Sequence, residues 1–183
     1  MDFEKVLDLL LKDFEKEGIR YAMMGGFGLG ALGIMRSTMD LDFLVDHNDL
    51  SKIQAIMKKY DYDCVYKSEN VSQYVSGLKI FGEVDFLHAF RDKSLSLLER
   101  SKLVGVFDGR LKIRVLLPED IIGLKLQALS NDKTRENKEY ADIEDVINQL
   151  GSEMDWEIIE EYFELFHKKD KFIELREKYG SVK

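Results

Sequence analysis

The chain has 183 residues, of which 45% are hydrophobic and 34% are charged, and its formal net charge at pH 7 is −8. These values are typical of a soluble globular protein with one domain, or with one domain and a small helical appendage. The acidic balance argues against strong nonspecific binding to duplex nucleic acid, because neutralisation of phosphates dominates that affinity.

Membrane segments and covalent crosslinks are not expected. The longest apolar runs are far shorter than a membrane span, and the acidic N-terminal segment is unlike a signal peptide. The single cysteine, Cys64, excludes an internal disulfide and a cysteine zinc site. The three histidines, His47, His88 and His167, lack zinc-type spacing. We therefore expect a cytoplasmic protein without membrane contact.

Apolar periodicity predicts alternating helices and strands over the first two thirds of the chain. A helix over 2–17 ends at Gly18, and a buried strand over 19–24 is ended by Gly25 and Gly26. A polar turn at Arg36–Thr38 leads into the next strand, and Asp108-Gly109 is a type I′ hairpin signal. The other predicted elements are a short helix over 27–34, a strand over 40–46, a helix over 50–60, β-structure over 62–67 and 72–80, a strand over 83–88, a short helix near 95–98, and hairpin strands over 102–107 and 110–116.

The last third of the chain is predicted to be helical. Pro118 occupies a position that a first helical turn tolerates, and it opens a helix that runs to about Leu129. Further helices are predicted over 138–149, 155–167 and 169–179. The fold class is therefore α/β or α+β, with a mixed-sheet domain over 1–117 followed by a helical subdomain over 118–183.

Three aspartates indicate a candidate metal site. Asp40 and Asp42 share one side of a predicted strand, and at ~4 Å their repulsion is about 4 kcal/mol for an effective dielectric near 20. Either water or a bound cation has to offset that repulsion. If the two aspartates stood alone, solvated residues at the edge of a sheet would be the favoured interpretation. Asp85, however, lies between Val84 and Phe86 in a second apolar strand, where a carboxylate needs a partner. If the two strands are neighbours, the three carboxylates converge and suit Mg²⁺ or Mn²⁺.

The glycines of the first βα turn allow two interpretations. Gly25 and Gly26 offer backbone N–H groups to an anion such as phosphate. Gly28, Gly30 and Gly33 match a dinucleotide-binding fingerprint, but the next strand follows too soon for that fold. We therefore interpret this second set as small residues that let the short helix pack closely.

A family resemblance rests on three segments. The string GGFGLGALGIMRSTMDLDFLV resembles the first motif of the nucleotidyltransferase superfamily related to DNA polymerase β, and EVDFL around Asp85 resembles its third acidic strand. The segment PEDIIGLKLQAL, followed by KEYADIEDV, resembles a minimal bacterial branch that includes type IV toxin and abortive-infection nucleotidyltransferases. The resemblance covers about residues 19–150.

The resemblance implies roles for the aspartates and the glycines. Asp40 and Asp42 would hold Mg²⁺ or Mn²⁺, and Asp85 would complete the metal site and take the proton from the attacking hydroxyl. Gly25 and Gly26 would bind the nucleotide phosphates through their N–H groups.

Four further residues are implied in nucleotide binding. Thr38 would orient the triphosphate, Lys125 would reach the phosphates, and Asp142 would fix the helices that place Lys125 or contact the substrate. Arg36 is a further candidate for phosphate or substrate binding, although an exposed turn arginine is an equal alternative. Lys125 and Asp142 also have plain alternatives: Lys125 as a solvated helix lysine, and Asp142 as an exposed helix acid. The chain departs from the family pattern at Gly26, where many relatives have serine, and at Glu139.

The leading functional hypothesis is a metal-dependent nucleotidyltransferase. It would move a nucleoside monophosphate from an NTP, such as ATP, to an acceptor hydroxyl and release pyrophosphate. The acceptor is a tRNA end, a protein side chain or a small molecule, and the toxin-like resemblance adds an antitoxin-like partner protein. The alternatives are a nucleotide-binding or protein-interaction module without turnover, and a metal-dependent phosphohydrolase on the same carboxylates.

Overall fold

The computed structural model describes residues 1–35 and 37–180, and the chain forms two compact units, Met1–Leu116 and Leu117–Lys183. The first unit contains a mixed β-sheet with helices, and the second unit is helical. The predicted α/β fold class is therefore confirmed.

The first unit contains four α-helices and seven strands in its described part. A 3-10 turn, His47–Asp49, leads into the third helix. In chain order the elements are α1 (Phe3–Glu17), β1 (Tyr21–Met24), α2 (Gly25–Ala31), β2 (Asp40–Asp46), α3 (Leu50–Lys59), β3 (Tyr62–Lys67), β4 (Val71–Ser76), β5 (Glu83–Ala89), α4 (Asp92–Arg100), β6 (Lys102–Val106) and β7 (Leu111–Val115).

All seven strands form a single sheet with the order β3-β4-β5-β2-β1-β7-β6. The β2–β5 and β1–β7 pairs are parallel, and the remaining neighbours are antiparallel. The two strands that carry the predicted aspartates, β2 and β5, are therefore direct neighbours at the centre of the sheet, although some forty residues separate them in sequence.

An aromatic core fixes the register of β2 against β5. Phe43 and Phe86 are paired across the two strands, are fully buried, and stack with ring centroids 5.5 Å apart. Phe14 of α1 packs edge-on against Phe43 at 5.7 Å, and Ile53 of α3 belongs to the same buried cluster. Because alternate residues of a strand point to opposite faces, Asp42 and Asp85 lie on the face away from these rings.

One local prediction needs correction, and another is confirmed. Helix α2 begins at Gly25 rather than at residue 27, because the left-handed φ of +61° at Gly25 turns the chain from β1 directly into the helix. The β6–β7 hairpin has the turn that the Asp108-Gly109 signal predicts: both residues have positive φ, of 57° and 80°, and the Arg110 N–H donates to the Phe107 carbonyl at 3.1 Å. Phe107 also has a positive φ of 51°, and the Gly109 N–H donates to the Val106 carbonyl at 3.1 Å.

The second unit contains four α-helices in its described part. They are α5 (Pro118–Asn131), α6 (Glu136–Leu150), α7 (Trp156–Leu165) and α8 (Lys169–Tyr179). Pro118 is at the start of α5, as predicted. Helix α5 packs against α6 and α7, and buried side chains such as Leu126, Ile143 and Phe163 form the core. No helix in the described residues combines the length and the hydrophobicity that a membrane span requires.

Truncating Phe43 to alanine is expected to lower the free energy of unfolding by about 3–5 kcal/mol, because it removes a buried ring and leaves a cavity against Phe14 and Phe86. Urea unfolding of the wild type and the variant measures the change. Leu78→Ala is the matched control, since Leu78 is exposed. Equal losses for the two variants would contradict the stacked core described above.

Candidate active site

One row of residues crosses four strands of the sheet. The register pairs Gln73 with Asp85, Asp85 with Asp42, and Asp42 with Met24, the residue just before Gly25. Residues that are directly opposite on neighbouring strands share a face, so these side chains lie side by side. The fold thus brings two of the three predicted aspartates together and places them next to the glycine turn.

A second row adds a carboxylate that sequence reasoning missed. Asp40 is paired with Glu83, two residues before Asp85 and on the same face. Burial raises the pKa of Glu83, and the charges of Asp85 and Asp40 raise it further. The segment Glu83-Val84-Asp85 repeats the acid spacing of Asp40 and Asp42, and that repeat is the signal that points to Glu83.

The two carboxylate oxygens of Asp85 are in different environments. The Gln73 side-chain amide donates a hydrogen bond to Asp85 Oδ2 at 2.9 Å. Oδ1 is buried, and no group in residues 1–35 or 37–180 forms a hydrogen bond with it. Burial raises the pKa of Asp85, the Gln73 hydrogen bond lowers it, and the charge of Asp40 raises it. The net effect is a carboxylate with a raised pKa and one oxygen that lacks a protein partner.

Both predicted phosphate-binding glycines are in contact with the acidic rows. A Cβ atom on Gly25 would lie 1.8 Å from Asp42 Oδ2, and one on Gly26 would lie 2.6 Å from Thr38 Cβ. Thr38 in turn donates a hydrogen bond from Oγ1 to Asp40 Oδ1 at 2.6 Å. Only glycine therefore fits at these two positions, and the turn holds its backbone against the carboxylates.

The N–H groups of this turn are suited to an anion. The first N–H groups of a helix have no partner inside the helix, and Met24 precedes them without a side-chain oxygen to cap them. A cavity of about 570 Å³ opens beside Gly26 and Thr38, with Phe27 and Phe107 among its walls. The predicted ligand Arg36 lies outside the described residues.

The other two predicted nucleotide-binding residues belong to the second unit. Lys125 Nζ donates hydrogen bonds to Asp142 Oδ2 at 2.5 Å and to Glu139 Oε2 at 3.0 Å. Arg135 binds the other oxygen of Glu139 at 2.5 Å. Lys125 is on α5, and its two partners Glu139 and Asp142 are on α6, so these two ion pairs join α5 to α6. Glu139, the departure from the family pattern, thereby bridges two cations.

His88 does not take part in the acidic rows. It is on the opposite face of β5 from Asp85, because the two residues are three positions apart on the strand. Its ring is buried and forms hydrogen bonds with Ser72 Oγ at 3.0 Å and the Glu69 carbonyl at 2.8 Å. Burial lowers the pKa of His88. These contacts favour a packing role.

The acidic rows have the chemistry of a site for a hard divalent cation. Asp40, Asp42, Glu83 and Asp85 present carboxylate oxygens on one face, and Asp85 Oδ1 is buried without a hydrogen-bond partner in the described structure. Among the described residues, no three acidic, histidine or cysteine side chains are already grouped closely enough to hold an ion. Binding would therefore require these side chains to rotate toward the ion, and the donor types fit Mg²⁺ or Mn²⁺.

A sequence model of a protein family, described as uncharacterised nucleotidyltransferase, matches residues 3–167. No curated protein matches the sequence. The fold is similar to that of the antibiotic-resistance factor ANT(2'')-Ia, with a TM-score of 0.66 and 15% identity over 97% of this chain and 99% of that one.

Two further solved structures have the same fold. The lincosamide antibiotic adenylyltransferase LnuA gives a TM-score of 0.55 and 17% identity, over 78% of this chain and 95% of that one. A putative nucleotidyltransferase from Thermotoga maritima gives a TM-score of 0.53 and 14% identity, over 78% of this chain and 96% of that one. At these identities the likeness establishes the fold alone.

Replacing Gly25 with alanine is expected to lower the free energy of unfolding by at least about 1–2 kcal/mol, because a side chain is strained at positive φ and its Cβ meets Asp42. Urea unfolding gives the value. Gly77→Ala is the matched control, since a Cβ at Gly77 meets nothing within 4 Å. A Gly25→Ala protein as stable as this control would contradict the described turn.

Replacing Asp85 with asparagine is expected to raise Tm by a few degrees at pH 7 in the presence of EDTA. The pKa of Asp85 is raised from 3.8 in the folded state, so the folded state binds a proton more tightly than the unfolded state does. The protein therefore loses stability as the pH rises from the unfolded-state pKa to the higher folded-state pKa. Asparagine removes the charge and still accepts the Gln73 hydrogen bond. The gain in Tm should shrink toward pH 4, and a lower Tm at pH 7 would contradict this account.

Proposed function

The chain belongs to this nucleotidyltransferase family and is a transferase, and we propose that it moves a nucleoside monophosphate from ATP to a hydroxyl group of a small molecule. The observation that carries the proposal is the row in which Asp42 and Asp85 lie side by side next to Gly25. This row supports the proposal because it brings two carboxylates next to backbone N–H groups. We assign the carboxylates to metal and proton binding and the N–H groups to phosphate binding.

The reaction needs a base and an in-line geometry. The acceptor oxygen forms a bond to the α-phosphorus, the bond from that phosphorus to the bridging oxygen of pyrophosphate breaks, and the hydroxyl proton passes to the Asp85 carboxylate. A raised pKa suits this role, because a base is most effective when its pKa is close to the working pH.

The glycine turn is proposed to hold the triphosphate. The N–H groups of Gly25 and Gly26 would donate to phosphate oxygens, which can approach the backbone closely because neither residue has a side chain. Thr38 fixes Asp40 through its hydroxyl and borders the same turn. We therefore assign Thr38 the orientation of both the carboxylate and the triphosphate.

A divalent ion is proposed to share the carboxylate face with the nucleotide. Asp40, Asp42 and Asp85 would hold Mg²⁺ or Mn²⁺, with Glu83 as a neighbouring acid. When bound, the ion supplies positive charge that offsets the charge of the phosphates and of the leaving pyrophosphate.

Lys125, Arg36 and Asp142 are proposed in supporting roles. An ammonium group has three N–H donors, and two of those on Lys125 are bound to Asp142 and Glu139. The third would serve a phosphate oxygen. The ion pair between Lys125 and Asp142 supports the role of Asp142 in fixing the helix that carries the lysine. Arg36 stays a candidate phosphate ligand on the strength of the resemblance.

A small-molecule acceptor is favoured by two observations. Two proteins of the same fold are described as an antibiotic-resistance factor and as a lincosamide antibiotic adenylyltransferase. The net charge of −8 disfavours a nucleic-acid acceptor. A tRNA or protein acceptor, an antitoxin-like partner and a cytoplasmic location stay predictions.

The test is a label-transfer assay. The protein is incubated with each α-³²P-labelled NTP, Mg²⁺ or Mn²⁺, and a panel of hydroxylated small molecules, with RNA and protein fractions run in parallel. Transfer to a small molecule is expected, and Asp42→Ala should reduce it by about 10²-fold or more, since charge stabilisation by a metal is worth several kcal/mol. Asp63→Ala is the matched control, because Asp63 is an exposed aspartate on β3.

The other outcomes separate the alternatives. Label on RNA or on protein would show that the acceptor is that macromolecule and not a small molecule. Free nucleoside monophosphate alone would indicate a phosphohydrolase, and a nucleotide-dependent rise in Tm without label movement would indicate a binding module. Absence of any nucleotide binding with metal present would contradict the proposal as a whole.

A further inference from the structure

Strand β4 contributes one polar side chain to the acidic face. On this face β4 presents Val71, Gln73 and Val75, and the register places Gln73 directly opposite Asp85. Gln73 is thus the one residue of these three whose side chain can form a hydrogen bond, and it is located where it reaches the carboxylate. Its amide donates to Asp85 Oδ2 at 2.9 Å.

We propose that Gln73 is a positioning residue that holds Asp85 by Oδ2 and leaves Oδ1 as the oxygen that serves the reaction. An aspartate carboxylate turns about its terminal torsion with a broad preference, so it does not by itself present one oxygen in one direction. The Gln73 hydrogen bond comes from the β4 side and anchors one oxygen there. The other oxygen is the one that is buried without a hydrogen-bond partner in the described part of the chain.

The choice of a neutral donor fits this role. A lysine or arginine at the same position would pair with Asp85 and reduce the negative charge that the site presents to a cation or a proton. A carboxamide fixes the orientation and leaves the full charge on the carboxylate. Position 73 therefore combines hydrogen-bonding capacity with the absence of charge, as expected for a residue that supports a ligand or base rather than replacing one.

This inference rests on the proposed function, since it assigns a reactive oxygen to the proposed base. It extends the site to a strand that carries none of the family motifs described above. It also predicts that Gln73 acts through Asp85 alone, which distinguishes a positioning residue from one that merely stabilises the sheet.

The test is the isosteric variant Gln73→Met, which keeps the side-chain length and removes the donor. Mn²⁺ binding in the presence of a non-hydrolysable ATP analogue is measured by isothermal titration calorimetry and by electron paramagnetic resonance. Loss of a partner that orients a metal ligand typically weakens metal affinity about 10–100-fold, and we expect a loss in this range. In the label-transfer assay kcat should fall similarly, whereas KM for the NTP should stay within about twofold.

A double-mutant cycle isolates the route of the effect. In an Asp85→Ala background, Gln73→Met should cause no further loss of Mn²⁺ affinity, because the oxygen that it holds is gone. Gln54→Met, at an exposed glutamine of α3, is the control for the substitution type. Thermal unfolding of each variant shows that it is folded.

Three results would overturn the inference. One is unchanged Mn²⁺ affinity and kcat in Gln73→Met, with the wild type active, which rejects the role of Gln73 and leaves the proposed function standing. Another is additive losses in the cycle, which would indicate a purely structural role. The third is failure of the wild type to bind Mn²⁺ with nucleotide, which rejects the proposed function and this inference together.

Discussion

The parallel pairing of β2 with β5 is the constraint on which the rest of the site depends. One register pairs Phe43 with Phe86 on the core face and Asp42 with Asp85 on the other. The stacked rings favour this register, whereas two like charges directly opposite each other oppose it. A slip of one residue would expose the rings and bury the acids, so the hydrophobic core holds the carboxylates together. In this position burial raises the pKa of Asp85, and the charge of Asp40 raises it further.

The glycine turn follows from the same arrangement. Because β1 pairs with β2, Met24 is opposite Asp42 and the chain has to turn at the next residue, directly against the carboxylate. A left-handed glycine makes that turn, and a second glycine leaves room for Thr38, which binds Asp40. The N–H groups that we propose as phosphate ligands and the acidic side chains are thereby placed next to each other by packing alone, before any ligand is bound. Preorganisation of this kind is what phosphoryl transfer requires from a protein.

The sequence predicts the fold class, most elements and the three aspartates, because these depend on local periodicity and on short motifs. It does not predict Gln73 or Glu83 as members of the site, since their placement depends on pairing between strands that are distant in the chain. The sequence pattern predicts the start of α2 two residues too late, because a glycine at positive φ gives no signal in the helical periodicity. The ion pairs of Lys125 with Glu139 and Asp142 likewise depend on the packing of α5 against α6. Their contribution to nucleotide binding is a proposal that rests on the family resemblance.

The central claim is that the acidic face of β2 and β5 holds a divalent ion next to the glycine turn. Anomalous diffraction from a crystal grown with Mn²⁺ and a non-hydrolysable ATP analogue tests it most directly. An anomalous peak is expected within coordination distance of Asp42 and of Asp85 Oδ1, with analogue phosphates at the N–H groups of Gly25 and Gly26. Mn²⁺ located elsewhere, or a peak coordinated by Asp85 Oδ2 with Gln73 displaced, would contradict it.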